Sequence, residues 1–388
     1  MRTRRAAVPS ANRNADCVVV GASFAGLACA LELARAGVRV TIAEKKADPG
    51  EKLHTTGILV RDLVDAVPIL QGLPLPLVRR VDAVRLYAPN LSSVDLAAPG
   101  YYFLATDTPA LLRWLADRAV QAGAELRCGT LFRGAQPIAG GFDLGKALGR
   151  TRFLVGADGP ASRVAKALGL GQNRQFLAGI EHEYWGAQLA QPEYLHCFID
   201  RRLMPGYIGW MVQGVHGVQV GLARRLRGPG ASDVKSAMAG LLAKVAPVAD
   251  FRGVAVNSIR AGLIPCGGLV RPLARARALL VGDAAGLVSP VTAGGIHTAL
   301  THGLSAGEAV ADFLAGRSPD PQRGFIGTYP RFRIKRLLRF AFDHFQADWV
   351  FDLALATAPM RWAAGRIYFH QRAVVLESPA EARRFEPR

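Results

Sequence analysis

The stretch from Asp16 to Glu44 limits what this chain can fold into more than any other. Asp16-Cys-Val-Val-Val20 is a short β-branched apolar run bounded by Gly21, the pattern of a buried strand. Gly21-Ala-Ser-Phe-Ala-Gly26 follows at once. Leu27, Ala30, Leu31 and Ala34 then recur at helical spacing, and Gly37 closes the helix. Val38 to Ala43 reads as a second strand, with Glu44 at its end. Strand, glycine turn, helix and strand in this order predict a βαβ dinucleotide-binding unit.

Each residue of the turn has a physical reason. Gly21 permits a bend that a Cβ would block, and Gly26 lets the helix pack close to the strand. Ser23 stands where such turns usually have a second glycine, so a small side chain must let a pyrophosphate approach. The helix start offers unpaired N–H groups and the positive end of a dipole to phosphate. Gly21, Ser23, Phe24, Ala25 and Gly26 are therefore the phosphate-side candidates, with Glu44 and Lys45 at the adenosine end. Glu44 lies 18 residues beyond Gly26, placed to accept hydrogen bonds from a ribose. A carboxylate there repels a 2′-phosphate, so the unit suits FAD or NAD rather than NADP. The competing reading is a glycine-rich turn in an ordinary α/β protein.

The chain has 388 residues, enough for two domains with large cores. Five cysteines (Cys17, Cys29, Cys128, Cys197 and Cys266) are scattered, with no C-x-x-C spacing. They read as reduced, with no metal site, which suits the cytoplasm. The basic start, residues 1–15, lacks an apolar signal core and reads as a disordered tail. No apolar window is long enough for a membrane span. The net charge is +18, from 48 Lys+Arg against 30 Asp+Glu, a field that favours anionic partners. The charge is spread along the chain and no nucleic-acid motif accompanies it. The plainer reading is that the charge gives solubility and helps hold anionic cofactors; an anionic membrane surface, to which the protein would be peripheral on the inner face, is the other candidate.

Further along, a helix is predicted near 59–66, ending before Pro68. Residues 80–88 and 92–97 alternate around Pro89-Asn90 and predict a hairpin of a second sheet. Asp107-Thr108-Pro109 opens a helix to about 122, and 124–128 is a short strand. Phe153–Val155 is a strand, Asp158-Gly159 a turn, and Ser162 to Leu168 a helix. Strand-like runs at Tyr194–Ile199, Gly206–Val212 and Gly217–Leu222 predict an antiparallel sheet, and 233–247 a helix. A buried strand ends at Val281, Gly282-Asp283 follows, and a glycine turn at 294–295 leads into a helix reaching about 315. Ile334, Leu337, Leu338, Ala341, Phe342 and Phe345 share one face of a basic amphipathic helix, to be packed on the protein or laid on a membrane.

The three glycine turns, around Gly21, Asp158-Gly159 and Gly282-Asp283, occur in the order seen in flavoprotein oxidoreductases of the p-hydroxybenzoate hydroxylase fold, which this chain resembles. The resemblance implies a Rossmann-like FAD-binding domain (16–79, 100–175 and 262–320) with an inserted antiparallel-sheet substrate domain (80–99 and 176–261) and a C-terminal helical segment (321–388). It also implies FAD diphosphate at the first turn, Asp158 near the flavin and the approach of NADH or NADPH, and Gly282 and Asp283 at the ribityl chain. Gly294, Gly295 and Ile296 would lie beside the flavin pyrimidine edge, where a helix start stabilises negative charge.

Within that fold the chain is similar to the geranylgeranyl reductase branch. Pro290-Val-Thr-Ala-Gly-Gly-Ile296 resembles the branch's Pro-Leu-Thr-Gly-Glu-Gly-Ile. Pro205-Gly-Tyr-Ile-Gly-Trp-Met-Val212 resembles its substrate-cavity motif, keeping Trp210, with Tyr207 one place early. The branch has an arginine where this chain has Thr108, and Arg113 is the candidate substitute. Its Cys-Gly-Gly loop reads His54-Thr55-Thr56-Gly57 here. The implied reaction is reduction of a carbon–carbon double bond in a small apolar or prenyl substrate by flavin that NAD(P)H has reduced. Tyr207 and Trp210 would line the pocket and His54, titrating near neutral pH, would donate the proton. For His54 the plainer reading is a loop histidine bonded to a backbone carbonyl, and for the two rings, core packing. Two rival functions use the same motifs: an FAD monooxygenase, and a flavin-bearing electron carrier without turnover.

Overall fold

A computed structural model describes residues 14–226, 233–290, 294–321, 325–330, 332, 337, 339–340, 347–355, 357–369 and 374–375. The first sheet is built on the predicted βαβ unit. Strands β1 (Ala15–Val20) and β2 (Val40–Ala43) flank helix α1 (Phe24–Arg35). β8 (Glu125–Arg127) extends the sheet beside β2, while β11 (Arg150–Gly156) and β18 (Ala278–Leu280) extend it beside β1. All five are parallel, so their ends open on one side. The antiparallel β17 (Ala274–Arg275) closes one edge, and β9 (Gln136–Ile138) and β10 (Gly141–Asp143) attach to β11. β1 begins at Ala15, so the predicted disordered tail is one residue too long there; residues 1–13 lie outside the described set.

Helix α6 (Ile296–Leu314) lies directly on α1. Two glycines allow it. A Cβ on Gly303 would stand 2.5 Å from the Ala25 carbonyl oxygen, and one on Gly307 2.6 Å from that of Cys29. Helix α3 (Thr108–Gln121), capped by Asp107, packs on α1 as well.

The second sheet has the order β16 (Ser258–Pro265), β12 (Phe176–Trp185), β15 (Gly217–Arg225), β14 (Gly209–Gln213), β13 (Tyr194–Phe198), β5 (Ala83–Tyr87), β6 (Ser93–Ala97) and β19 (Val374–Val375). It is antiparallel except where β13 meets β5, the seam at which the early hairpin joins strands met a hundred residues later. Helix α5 (Val234–Val245) covers one face through Ala237, Met238 and Leu241 against Ile180, Tyr184, Val220 and Leu222. Leu177, Glu181 and Glu183 stand on the other face, by the period-2 rule.

Three expectations need correction. The predicted helix at 59–66 starts only at Arg61 (α2, Arg61–Ala66); Ile58–Val60 is strand β3, paired with β7 (Phe103–Thr106). The predicted strand 80–88 belongs to two sheets: β4 (Val78–Val81) joins β3 and β7 in a small third sheet, and the chain changes sheet at Asp82. The run from Gly206 is a strand only from Gly209, so Tyr207 sits in the preceding turn, its N–H donating to the Met204 carbonyl at 3.0 Å.

At the C-terminus, α7 (Asp348–Ala354) is tied down by Asp348, which accepts from the Arg201 amide, and Asp352, which accepts from the Asn90 amide. Phe369 of α8 (Ala358–Phe369) stacks edge-on against Tyr101. Except for Leu337, Arg339 and Phe340, the predicted basic helix at 334–345 lies outside the described residues. No described helix is long and apolar enough to cross a membrane. All five cysteines are free thiols, and among the described residues no His/Cys/Asp/Glu cluster is arranged for a metal.

Candidate active site

The first turn is closed by contacts that only glycine allows. Gly21 has φ +105°, and a Cβ on it would lie 2.4 Å from the Ala157 carbonyl oxygen and 3.1 Å from the Asp158 Cα. The first and second glycine turns therefore touch through backbone. Ser23 caps α1: its hydroxyl accepts from the Gly26 amide at 3.3 Å and donates to the Ala157 carbonyl at 3.0 Å. The hydroxyl thus ties the two turns together, a contact a glycine could not make. Phe24 and Ala25 are buried behind the turn. The amides of Ser23, Phe24 and Ala25 have no protein acceptor among the described residues, the condition for an anion at a helix start.

Glu44 is buried at the end of β2. One carboxylate oxygen accepts from the Ala22 amide at 2.8 Å, the other from the Lys46 amide at 2.9 Å. Both oxygens keep lone pairs for a ribose. Lys45 is exposed; its neighbour Lys46 turns in, donating to the carbonyls of Pro49 and Glu51, and burial lowers its pKa. Arg113 donates to Asp48 at 2.7 Å across a half-exposed pair and braces the loop at Gly50.

The carboxylate of Asp158 is used inside its own turn. It accepts from the Ser162 hydroxyl (2.6 Å) and the amides of Arg163 (2.6 Å) and Val164 (3.2 Å), and so starts helix α4 (Arg163–Leu168). Asn173 joins this turn to the third: its amide donates to the Pro160 carbonyl at 3.0 Å and to the Asp283 carbonyl at 2.8 Å. A Cβ on Gly282 would lie 2.8 Å from that of Ala25. The Asp283 carboxylate has no protein donor among the described residues, and desolvation pushes its pKa up to about 6. It faces Gly295, which caps α6; Ser289 donates to the Gly294 carbonyl, Pro290 is buried, and Ile296 opens the helix. Three amide donors at the start of α1, with the Asp283 carboxylate on the turn that packs against that helix, fit a ligand that carries both phosphate and hydroxyl groups.

The second sheet brings together a different set. Glu181, Glu183 and Arg260 are all more than nine-tenths buried. Arg260 donates 3.1 Å bonds to both carboxylates. Glu181 also accepts from the Thr56 hydroxyl at 2.5 Å and the Trp210 indole at 2.9 Å. The register explains the indole bond. Arg260, Glu181, Gly221 and Trp210 stand in one row across four strands. A Cβ on Gly221 would be 2.4 Å from the indole, so the missing side chain lets Trp210 lie across β15 and reach β12.

Of the three residues expected to be catalytic, Trp210 packs against the cluster that holds Tyr207, and His54 lies against β16. His54 accepts or donates at Nδ1 to the Ala261 carbonyl at 2.5 Å, the plainer of its two sequence readings. Tyr207 is buried among Leu177, Ala223 and Cys266, and burial raises its pKa. Trp210 alone joins the polar row. Glu181, Arg260, Thr56, Gly221 and Asn173 went unread in the sequence. The available signal was Glu181 and Glu183 at alternate positions in the otherwise strand-like run Phe176–Trp185.

The comparisons agree with this geometry. The profile of the FAD binding domain family matches residues 14–333. Digeranylgeranylglycerophospholipid reductase 2 of Methanopyrus kandleri is 29% identical over 332 residues, 81% of each chain. Menaquinone reductase of Mycolicibacterium smegmatis is 29% identical over 327 residues, 78% of this chain and 77% of its own. The structure of a geranylgeranyl bacteriochlorophyll reductase-like protein from Thermoplasma acidophilum superposes with a TM-score of 0.79 at 16% identity, covering 92% of this chain and 97% of its own. A probable FAD-dependent monooxygenase from Pseudomonas aeruginosa gives 0.66 at 18% identity, over 87% of this chain and all of its own. A nucleotide cradle of three turns and a family match over most of the sequence lead to one conclusion: this chain belongs to the FAD binding domain family, and FAD is its cofactor.

Proposed function

We propose that this protein reduces carbon–carbon double bonds of an apolar, isoprenoid-like substrate, with NADH or NADPH as the source of electrons. The observation that carries this reading is the kinship with reductases named for a digeranylgeranyl lipid and for menaquinone, over about four-fifths of their length. When bound, FAD supplies the hydride chemistry. The residues then have distinct tasks. The amides of Ser23, Phe24 and Ala25 hold the diphosphate, Glu44 the ribose, and Asp283 a ribityl hydroxyl. The start of α6 at Gly295 faces the pyrimidine edge. The face of the second sheet around Trp210 and Ile208 offers the apolar surface a prenyl chain needs.

An apolar lipid must be collected from a membrane, and the C-terminal helices suit that task. Trp349 and Leu353 of α7 are one helical turn apart and 67% and 74% exposed; Trp362 of α8 is 63% exposed with Arg366 over its ring. Aromatic rings beside cationic side chains favour an anionic lipid interface. Sedimentation with anionic vesicles, and none with neutral ones, is the expected result.

Anaerobic reduction followed by mass analysis with a panel of prenyl substrates tests the activity. A gain of two hydrogens per double bond is expected. A gain of one oxygen once air is admitted would replace this reading with hydroxylation, the chemistry suggested by the monooxygenase neighbour. Loss of flavin colour without any product would leave an electron carrier.

A further inference from the structure

Saturating a double bond adds a hydride and a proton, and the sequence names His54 as one candidate donor. His54 is engaged with a backbone carbonyl. The buried row on the second sheet offers another donor. We propose that Glu181 is the proton store of this site: a carboxylic acid in the resting protein, whose proton reaches the substrate through the Thr56 hydroxyl. This inference rests on the reductase reading above.

Charge counting comes first. Glu181 and Glu183 share one cation, Arg260, and all three are out of water. Two carboxylates with one guanidinium would bury a net negative charge, which is costly; a single proton on the pair removes it. The other groups around Glu181 supply no compensating charge. Gln219 is neutral and donates to Glu183 at 3.5 Å, Trp210 is a neutral donor, and Thr56 offers a neutral hydroxyl. His182 belongs to the opposite face, and desolvation lowers its pKa, keeping it neutral. Arg225 lies near Cys266, and Arg339 near Cys266 and Tyr207.

The choice between the two carboxyls follows from their contacts. Among the described residues, the Glu183 carboxylate meets only Arg260 and the distant Gln219. Glu181 has the Thr56 oxygen at 2.5 Å, a hydroxyl that can accept its proton while passing on its own. Burial also raises the pKa of Glu181, the direction such a store requires. Thr56 stands in the loop just before β3, a strand that packs against α6, and its hydroxyl reaches Glu181 on the second sheet. In the transfer the O–H bond of Glu181 breaks, a C–H bond forms on the substrate carbon that did not receive hydride, and the carboxylate regains a proton from solvent.

The test uses the FAD-loaded full chain with Glu181→Gln, Thr56→Val and Thr56→Ser. Glu181→Gln keeps shape and leaves Arg260 paired with Glu183, so the buried charge stays balanced. Infrared difference spectra at neutral pH should show a carboxylic-acid carbonyl band that Glu181→Gln removes. Anaerobic flavin reoxidation by a prenyl substrate should slow by about 10²-fold or more in Glu181→Gln and Thr56→Val, and recover in Thr56→Ser. The alkaline limb of its pH profile, where a carboxylic acid loses its proton, should vanish with Glu181→Gln. No such band in the parent, or an unchanged rate and pH profile in Glu181→Gln, overturns the proposal. A parent that saturates no prenyl substrate overturns the reductase reading and the delivery step together, and the infrared band then decides separately whether Glu181 stores a proton.

Discussion

The two large sheets build their sites from opposite materials. On the first, contacts run through backbone: Gly21 against Ala157, Gly282 against Ala25, free amides at the start of α1. On the second they run through side chains: Arg260 between two carboxylates, Thr56 and Trp210 on Glu181. Phosphates and ribose hydroxyls come in one fixed shape, and backbone donors suit them. An apolar chain offers no such handles, so its side of the molecule is shaped by packing and by whatever buried polar groups the chemistry requires.

This contrast can be broken by mutation. Gly21→Ala should do most damage. Its Cβ meets a carbonyl oxygen at 2.4 Å in a backbone conformation alanine resists, and a loss of about 5 kcal/mol with no flavin uptake is expected. A purified Gly21→Ala protein that stays yellow would end the backbone account. Arg260→Met comes next. The Glu183 carboxylate left without its cation, beside the Glu181 acid, should cost about 4 kcal/mol at neutral pH in urea unfolding, and less in acid, where Glu183 takes a proton as well. An equal loss at both pH values would show that the pair is not what holds this face.

His196 sharpens the comparison from the α5 side of the second sheet. It is 2% exposed, between the Tyr87 hydroxyl and the Gln191 carbonyl, and burial pulls its pKa down to about 4. Between pH 6.5 and 4 the unfolded chain binds a proton that the folded one refuses. Stability should therefore fall as pH drops through that window, by about 3 kcal/mol in all. His196→Gln should flatten that part of the curve. The smallest effect belongs to Arg113→Ala. Its pair with Asp48 is half in water, so a stability change under about 1 kcal/mol is expected, with any loss of FAD affinity read separately by titration.

The same contrast decides what the sequence could reveal. Backbone sites demand glycines at fixed spacing, and Gly21, Gly26 and Gly282 are visible without a structure. The side-chain site hides in ordinary residues. Phe176–Trp185 carries Glu181, His182 and Glu183, and Ser258–Pro265 carries Arg260, so neither run looks like a buried strand. Period-2 alternation marks apolar against polar; it cannot tell a polar residue facing water from one facing a buried partner. The division of 78–88 between two sheets was equally hidden, because Val78–Val81 and Ala83–Tyr87 both mix apolar residues with arginine and it is their partners that separate them.

Gly303 and Gly307 set the depth of the nucleotide hollow, because α6 can come no nearer to α1 than their bare backbones allow. That spacing owes nothing to the second sheet. Over evolutionary time the strands of the second sheet could exchange residues, and with them preferred molecules, while the grip on the flavin stayed as it was. One frame could in this way serve many chemistries without its cofactor ever being renegotiated.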